Sequence, residues 1–404
     1  MPGDRWTERS LGELIALEYG AGLPQAVRTG EGYPVYGSSG LVGRHSDHLI
    51  QGPGIIVGRK GTVGAVVWSD EAFWPIDTTY YVEPKGDTDL RWIYWRLSGL
   101  PLNKLDSSTG VPGLNRHDAY ALKVLVPPLP EQRRIAEILD AADEAIRQTE
   151  RVIAKLKAVK AGLLHDLLTR GLDEHGHLRD PQTHPEKFKD SPLGKIPKTW
   201  SVVSLSDEIE ILHGYAFKGE YFADAPPGEV LLVPGNFHRE GGLYFNEHNT
   251  KYYRGPIPEG TVLENGDILI VMTDLSPRTL ILGRVVEIRL PFPVLHNQRI
   301  GKIVLKCHEA WDKGFFVASM NSERVRRNII RTASGTTVRH TSPDRIVANL
   351  VPKPYLQEQE TIARALDAHD ARIRAEESAL EKLRQVKRGL MDDLLTGKVR
   401  VASE

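Results

Sequence analysis

Residues 131–169 read EQRRIAEILDAADEAIRQTERVIAKLKAVKAGLLHDLLT, and residues 358–396 read EQETIARALDAHDARIRAEESALEKLRQVKRGLMDDLLT. About 21 of these 39 aligned positions are identical, including Glu131/Glu358, Ile135/Ile362, Asp140/Asp367, Lys155/Lys382, Gly162/Gly389 and Leu167/Leu394. A self-match this dense means that one unit occurs twice, and any fold must accommodate two like halves. In the first copy Ile135, Leu139, Ile146, Ile153, Leu156, Leu163 and Leu167 fall on one 4-3 seam. In the second copy Ile362, Leu366, Ile373, Leu380, Leu383, Leu390 and Leu394 do the same. A period of 3.5 held for about five heptads predicts a coiled-coil helix closing each copy. Polar seam residues recur in both copies, as Thr149/Glu376 and Lys160/Lys387, with Ala142 matched by His369. Such residues fix register or partner. Prolines just before each copy and Gly171 and Gly397 just after it supply start and stop signals. Two such helices in one chain pair most simply antiparallel. A helix of ~38 residues is about 57 Å long, a rigid spacer.

The segments before the helices, 1–127 and 196–353, alternate short β-branched runs with Gly and Pro: GIIVGRKGTVGAVVW (54–68), TTYYVEP (78–84), GDILIVMT (266–273) and RIGKIVLK (299–306). These are strand signals. Helical stretches follow at 91–99 and 315–333. Each globule opens on Trp and Leu (Trp6, Leu11; Trp200, Leu205) and ends in a Ser/Thr-Gly loop at 107–116 or 333–340. The expected organisation is a globular domain at 1–127, a helix at 128–170, a linker at 171–195, a second globule at 196–353, a helix at 354–397 and a tail at 398–404. The class is α+β: two β-rich globular domains separated by two long helices that form an antiparallel coiled coil, with an internal pseudo-twofold repeat. Repeated helices with diverged globules imply one shared job and two different ones.

Composition narrows the function. The 404 residues carry 52 Lys+Arg against 53 Asp+Glu, a net charge of −1, so no overall positive field pulls the chain onto nucleic acid. Cys307 is the only cysteine, which excludes an intrachain disulfide or a cysteine-rich zinc site and suits a reducing compartment; it reads as a half-buried small hydrophobe. No apolar run approaches the ~20 residues of a membrane span, and the polar start MPGDRWTERS is unlike a signal peptide. The linker histidines His175, His177 and His184, with His165 upstream, read as solvent-facing residues, with a metal site as the alternative.

The globule, the PPLPEQRRIAEIL helix start, the DSPLGKIPKTW linker, a second unlike globule and a second EQ..IA..LD helix together resemble the specificity subunit of type I restriction–modification systems, over essentially the whole chain. The resemblance implies two target-recognition domains, each reading one half of a split site in double-stranded DNA. It also implies paired helices that dock two copies of an adenine-N6 methyltransferase subunit, and restriction or motor subunits that join the complex. On that reading the chain is cytoplasmic and touches no membrane. It is also non-catalytic and holds no cofactor, since S-adenosylmethionine, ATP and Mg would belong to partner subunits.

The residues themselves agree with a non-enzyme. There is no GxxxxGK[ST] phosphate loop, no [DN]PP[YF] and no GxGxxG opening a helix. The nearest nuclease-like set is Asp77, Glu83 and Lys85. A scaffold with two protein-binding heads is the other alternative class, and it predicts no salt-dependent DNA binding.

Binding candidates are better defined. In the first globule, Arg59, Lys60 and Thr62 lie in the glycine-flanked turn GRKGTVG, with Tyr36, Ser38 and Ser39 in YPVYGSSG and Ser108, Thr109, Asn115 and Arg116 in the closing loop. They supply the cationic and amide groups that contact phosphates and base edges. In the second, Arg324, Arg327 and Arg331 recur at helical spacing within an acid-free window, 324–340, that ends in Thr336, Thr337, Arg339 and His340. Asn297, Gln298 and Arg299 carry groups that read adenine and guanine in the major groove, and Arg278 in DLSPRT follows the same logic.

Overall fold

The computed structural model describes residues 5–105 and 113–402. The chain divides into two compact units, residues 1–153 with 376–404, and residues 154–375.

In the first unit, strand Thr7–Ser10 pairs antiparallel with Lys123–Val126 and ties the ends of the head together. A four-stranded sheet follows in the order Ile15–Tyr19, Thr79–Pro84, Gly54–Gly58, Val66–Ser69. The run GIIVG is buried along its whole length, as a central strand requires. A smaller sheet joins Gly40–His45, Tyr33–Gly37 and Trp74–Pro75. Helix Leu90–Ser98 starts on Asp89, whose carboxylate accepts the Trp92 amide at 2.9 Å. The helix buries Trp92, Ile93, Trp95 and Leu97 in the core, which also holds Ile135 and Leu139 of one long helix and Leu394 and Leu395 of the other.

The second unit repeats this plan. Strand Ser201–Ser204 pairs with Leu350–Lys353, and the four-stranded sheet runs Ile209–His213, Ile300–Leu305, Ile268–Val271, Val285–Glu287. The order matches the first unit strand for strand, although the sequences barely do. Its second sheet is larger, with five short strands. The stretch expected as one helix over 315–333 is two, Lys313–Met320 and Glu323–Thr332. Asn321 makes the break, exchanging side-chain hydrogen bonds with both backbone groups of Val285 (3.2 and 2.7 Å). Ser322 then caps the second helix.

The repeated segments form helices Leu129–Thr169 and Leu356–Leu395. Of the fourteen apolar seam positions, all but Leu163, Leu383 and Leu390 are buried, and those three are partly so. In the first unit Ile146, Ile153 and Leu380 pack together with Leu383, Asp143 pairs with Lys387, and Glu150 pairs with Arg384 at 2.8 Å. Numbers that rise along one helix fall along the other, so the pairing is antiparallel. In the second unit Lys160 pairs with Asp370. These are the repeat equivalents of Lys387 and Asp143, so the polar seam lysines act as reciprocal register pins. Among the remaining polar seam positions, Thr149 donates to the Ala145 carbonyl at 2.9 Å.

The EQ pair that opens each helix has an explanation in packing. Gln132 accepts the Asp89 amide and donates to the Pro127 carbonyl, both at 2.9 Å. Gln359 accepts the Asp312 amide at 3.0 Å and donates to the Pro354 carbonyl at 2.9 Å. Asp89 and Asp312 are the N-caps of equivalent helices, so each glutamine bolts its head to its long helix. The glutamates hold the opposite helix's end. Glu131 accepts from Trp6 (2.9 Å), Arg400 (2.7 and 2.8 Å) and the Val401 amide (3.3 Å). Glu358 accepts from Arg179 (2.6 and 3.1 Å) and the Leu172 amide (2.9 Å). Arg400 and Val401 after the second helix and Leu172 and Arg179 after the first thus do the same work. At Gly171 (φ 62°) a Cβ would lie 2.4 Å from Glu358 Oε1 and 2.5 Å from the Trp200 ring, so glycine is required on both steric and conformational grounds.

Candidate nucleic-acid interface

In each unit the candidate residues gather at one end of the four-stranded sheet, where the first strand ends in a residue followed by glycine. Gly20 lies against the carbonyls of Pro75 and Ile76, and Gly214 against those of His296 and Asn297. Three segments meet there: the loop between the third and fourth sheet strands, the turn entering the second, and the closing loop.

In the first unit the amides of Arg59 and Lys60 both donate to the Thr78 carbonyl (2.9 and 3.1 Å), and the Leu114 amide donates to the Arg59 carbonyl (2.9 Å). Lys60 also bridges Gly113. The GRKG turn and the closing loop, far apart in sequence, are therefore laced together. Ser38 joins them: a Cβ on Gly61 (φ 82°) would lie 3.2 Å from its hydroxyl. Ser39, Lys60 and Thr62 are exposed, and Tyr36 sets its ring against Phe73 at 5.9 Å. Asn115 is occupied as a helix cap, accepting the His117 amide at 2.9 Å. Ser108 and Thr109 lie outside the described residues. Two tyrosines that the sequence did not single out complete the site. Tyr80 donates its hydroxyl to the Leu114 carbonyl at 3.0 Å; burial and the neighbouring Tyr19 push its pKa up to about 12, so it stays a neutral donor. Tyr19 stands 49% exposed with Arg59 and Arg116 over its ring at 5.0 and 5.1 Å. Strand alternation places both tyrosines on the Arg59 side, but only the pairing of the strands Ile15–Tyr19 and Thr79–Pro84, which sets Tyr19 opposite Tyr80, brings them together.

In the second unit, Thr273 and Asp274 pair with His340 and Arg339 as two short strands, and Thr273 Oγ1 meets His340 Nδ1 at 3.0 Å. The buried Asp274 carboxylate accepts the amides of Ser276, Ile281 and Leu282 and so shapes the loop that presents Arg278, which is exposed. Gln298 and Arg299 are exposed, with their backbones pinned to Tyr215 and Met272.

Several sequence expectations change. Asn297 is 5% exposed and its side-chain oxygen accepts the Arg299 amide at 3.0 Å, so it shapes the turn. The acid-free window has an acid one residue before it, and Glu323 pairs with Arg327. Arg339 donates to the carbonyls of Ile330, Ala333 and Gly335 at 3.0–3.2 Å, closing the end of its helix. Arg326 donates to Leu280 and Leu282; burial and then Arg284 lower its pKa to about 10. Arg324 and Arg331 remain exposed with no partner among the described residues, and Thr336 and Thr337, past the end of that helix, are exposed too. Cys307 is exposed rather than half-buried. The nuclease-like trio does not assemble. Asp77 and Lys85 flank opposite ends of strand Thr79–Pro84, about 20 Å apart at ~3.3 Å per residue, and Lys85 donates to the Gly12 carbonyl. His175 and His177 are exposed beside Asp173; among the described residues no group of three or more His, Cys, Asp or Glu side chains is placed to hold a metal. Among the described residues no helix is long and apolar enough to cross a membrane.

A recognition head built twice on one frame, varied at its sheet-end loops and carried on paired helices, defines a class of duplicated recognition subunits. Residues 3–158 match the model of the type I restriction modification DNA specificity domain. The chain is 28% identical over 305 residues to the type I restriction enzyme MjaVIII specificity subunit of Methanocaldococcus jannaschii, covering 74% of this chain and 67% of that one. It is 28% identical over 300 residues to the putative MjaX specificity subunit of the same organism, covering 71% and 62%. The chain thus spans about two thirds of the length of these relatives. The fold is that of the type I restriction–modification S subunit from M. genitalium, with a TM-score of 0.62 at 17% identity over 98% of this chain and 97% of that one. Residues 3–158 thus carry a type I restriction modification DNA specificity domain, and the chain as a whole is similar to type I specificity subunits in sequence and has their fold.

Proposed function

We propose that this chain is the non-catalytic, cytoplasmic DNA-specificity subunit of a type I restriction–modification complex. It reads a bipartite site in double-stranded DNA, one half per head, and docks two adenine-N6 methyltransferase subunits. Restriction or motor subunits complete the assembly. The chain needs no cofactor of its own; S-adenosylmethionine, ATP and Mg²⁺ are held by its partners. One observation carries this reading. The two heads keep the same sheet order, caps and EQ bolts, while the loops at one sheet end differ in charge, length and hydrogen bonding. Frames that repeat suit a repeated partner, because like patches bind alike; loops that differ suit two different DNA sequences. The long helices, with seam and register pins in each unit, suit the role of a spacer.

The test is to map methylated adenines across the host genome with the gene present and deleted. The expected result is loss of methylation at one motif made of two short half-sites around an unspecified gap. An unchanged methylation map overturns the proposal.

A further inference from the structure

The cluster at Tyr19 goes beyond that reading while resting on it. Tyr19 ends its strand, 49% exposed, with the guanidinium of Arg59 at 5.0 Å and that of Arg116 at 5.1 Å from its ring centre. Arg59 also lies 5.9 Å from Tyr80. Cation–π contacts hold the two cations over one ring, and no carboxylate among the described residues pairs with either. Arg59 donates one N–H to the Asp77 carbonyl at 2.7 Å, its Nε is buried without an acceptor, and the Arg116 side chain makes no hydrogen bond to a described residue. Two positive groups are therefore ordered beforehand with donors unspent. An anion at this ring would offset the like charge that the two guanidinium groups bring to it.

The second unit has nothing comparable. Its strand ends in His213, its loop carries Thr273 and the buried Asp274, and both terminal nitrogens of Arg339 there donate to backbone carbonyls.

We infer that Tyr19, Arg59 and Arg116 form a phosphate clamp for the DNA backbone, a contact made by the first head alone. Tyr19 is its positioning residue and the arginines its contacts. Phosphate contacts fix a protein's register on the duplex without carrying sequence information. The first head then grips the backbone at this point while sequence is read by neighbouring groups.

The test uses the full chain assembled with its methyltransferase partner and a duplex bearing the methylated motif, with binding measured across about 50–200 mM salt. Arg116→Ala disturbs no hydrogen bond to a described residue, so it keeps the experiment interpretable if Arg59→Ala unfolds the turn. Each substitution should lower the slope of log affinity against log salt by about 0.9 and weaken binding roughly five- to tenfold near 0.1 M salt, on cognate and scrambled duplexes alike. Tyr19→Leu should weaken binding with the ring's loss, and Tyr19→Phe should restore it. A parental slope and affinity in Arg116→Ala overturns the clamp, and so does a relaxed sequence preference with an unchanged slope, the mark of a base contact. A parental complex that prefers no sequence overturns the specificity reading alone, since the slope change in the variants still supports the clamp.

Discussion

The Glu358 clamp is a joint that a single substitution can break. Glu358 and Arg179 are 11% and 12% exposed, and the pair is bidentate at 2.6 and 3.1 Å, with the Leu172 amide as a third donor at 2.9 Å. Removing one partner of a buried pair strands the other charge, at a cost of about 3–5 kcal/mol. The solvent-exposed Glu323–Arg327 pair, at 80% and 72% exposure, sits at the other limit, about 0.3–0.5 kcal/mol for an i,i+4 pair. Glu358→Ala should therefore destabilise the chain by about 3 kcal/mol or more, and Glu323→Ala by less than about 0.5 kcal/mol. Urea unfolding followed by circular dichroism measures both. A double-mutant cycle with Arg179→Ala isolates the pair, with an expected coupling of about 2 kcal/mol, inside the range for groups in one network. A coupling under about 0.5 kcal/mol would show that packing around Trp200 and Gly171, not the ion pair, holds the second helix's start, and would refute the reasoning.

Other outcomes follow from the same geometry. Burial raises the Glu131 carboxyl pKa, but hydrogen bonds from Arg400 and Trp6 outweigh it and leave the net value lowered. Its contribution is thus present above the ordinary carboxylate pKa and fades as pH falls below about 4.5; Glu131→Gln should flatten that part of the stability–pH curve, and an unaltered curve counts against the clamp. Arg331→Ala should weaken binding of the assembled complex to one half-site by about 1–3 kcal/mol, read by competition with half-site mutants; equal loss at both halves points to assembly instead. Arg339→Ala should lower stability before it alters sequence preference, because its donors close a helix end; altered preference at parental stability contradicts this. Matched heptads inserted after Ile153 and before Glu376 keep the seam in phase and add about 10 Å. The gap in the methylated motif should then grow by about three base pairs, and an unchanged gap removes the spacer mechanism.

Much of this frame was legible because periodicity survives divergence. Seam positions such as Ile146 and Leu380 announce themselves at 3.5-residue spacing, and the duplication was visible as identity. Glu131 and Gln132 were visible as a repeated motif, but their roles were not. Their partners, Trp6, Arg400 and Asp89, lie 43 to 269 residues away, and nothing local signals a long-range hydrogen bond. The candidate site shows the same division. Arg59 and Arg116 stood out as cations in loops, yet Tyr19 became visible only through strand pairing. The backbone partners of Arg339 and Asn297 were not legible either, because side chains with readable donors serve a backbone turn as well as they serve a base.

Segment charges sharpen what the heads do. Residues 1–127 carry −2 and residues 196–353 carry +2, so neither head has the overall field of an autonomous DNA binder. In the first head the positive charge is nevertheless concentrated, with Arg59, Lys60 and Arg116 at one sheet end. In the second head Arg326, Arg327 and Arg339 are engaged internally, leaving Arg278, Arg299, Arg324 and Arg331 exposed. Few free cations per head mean few counterions released, hence a shallow salt dependence and weak binding by the chain alone. The purified chain should therefore bind its motif weakly, and addition of the methyltransferase should both tighten binding and steepen the salt slope. A chain that binds alone with the slope of the full complex would place the phosphate grip here and remove the need for partner contacts.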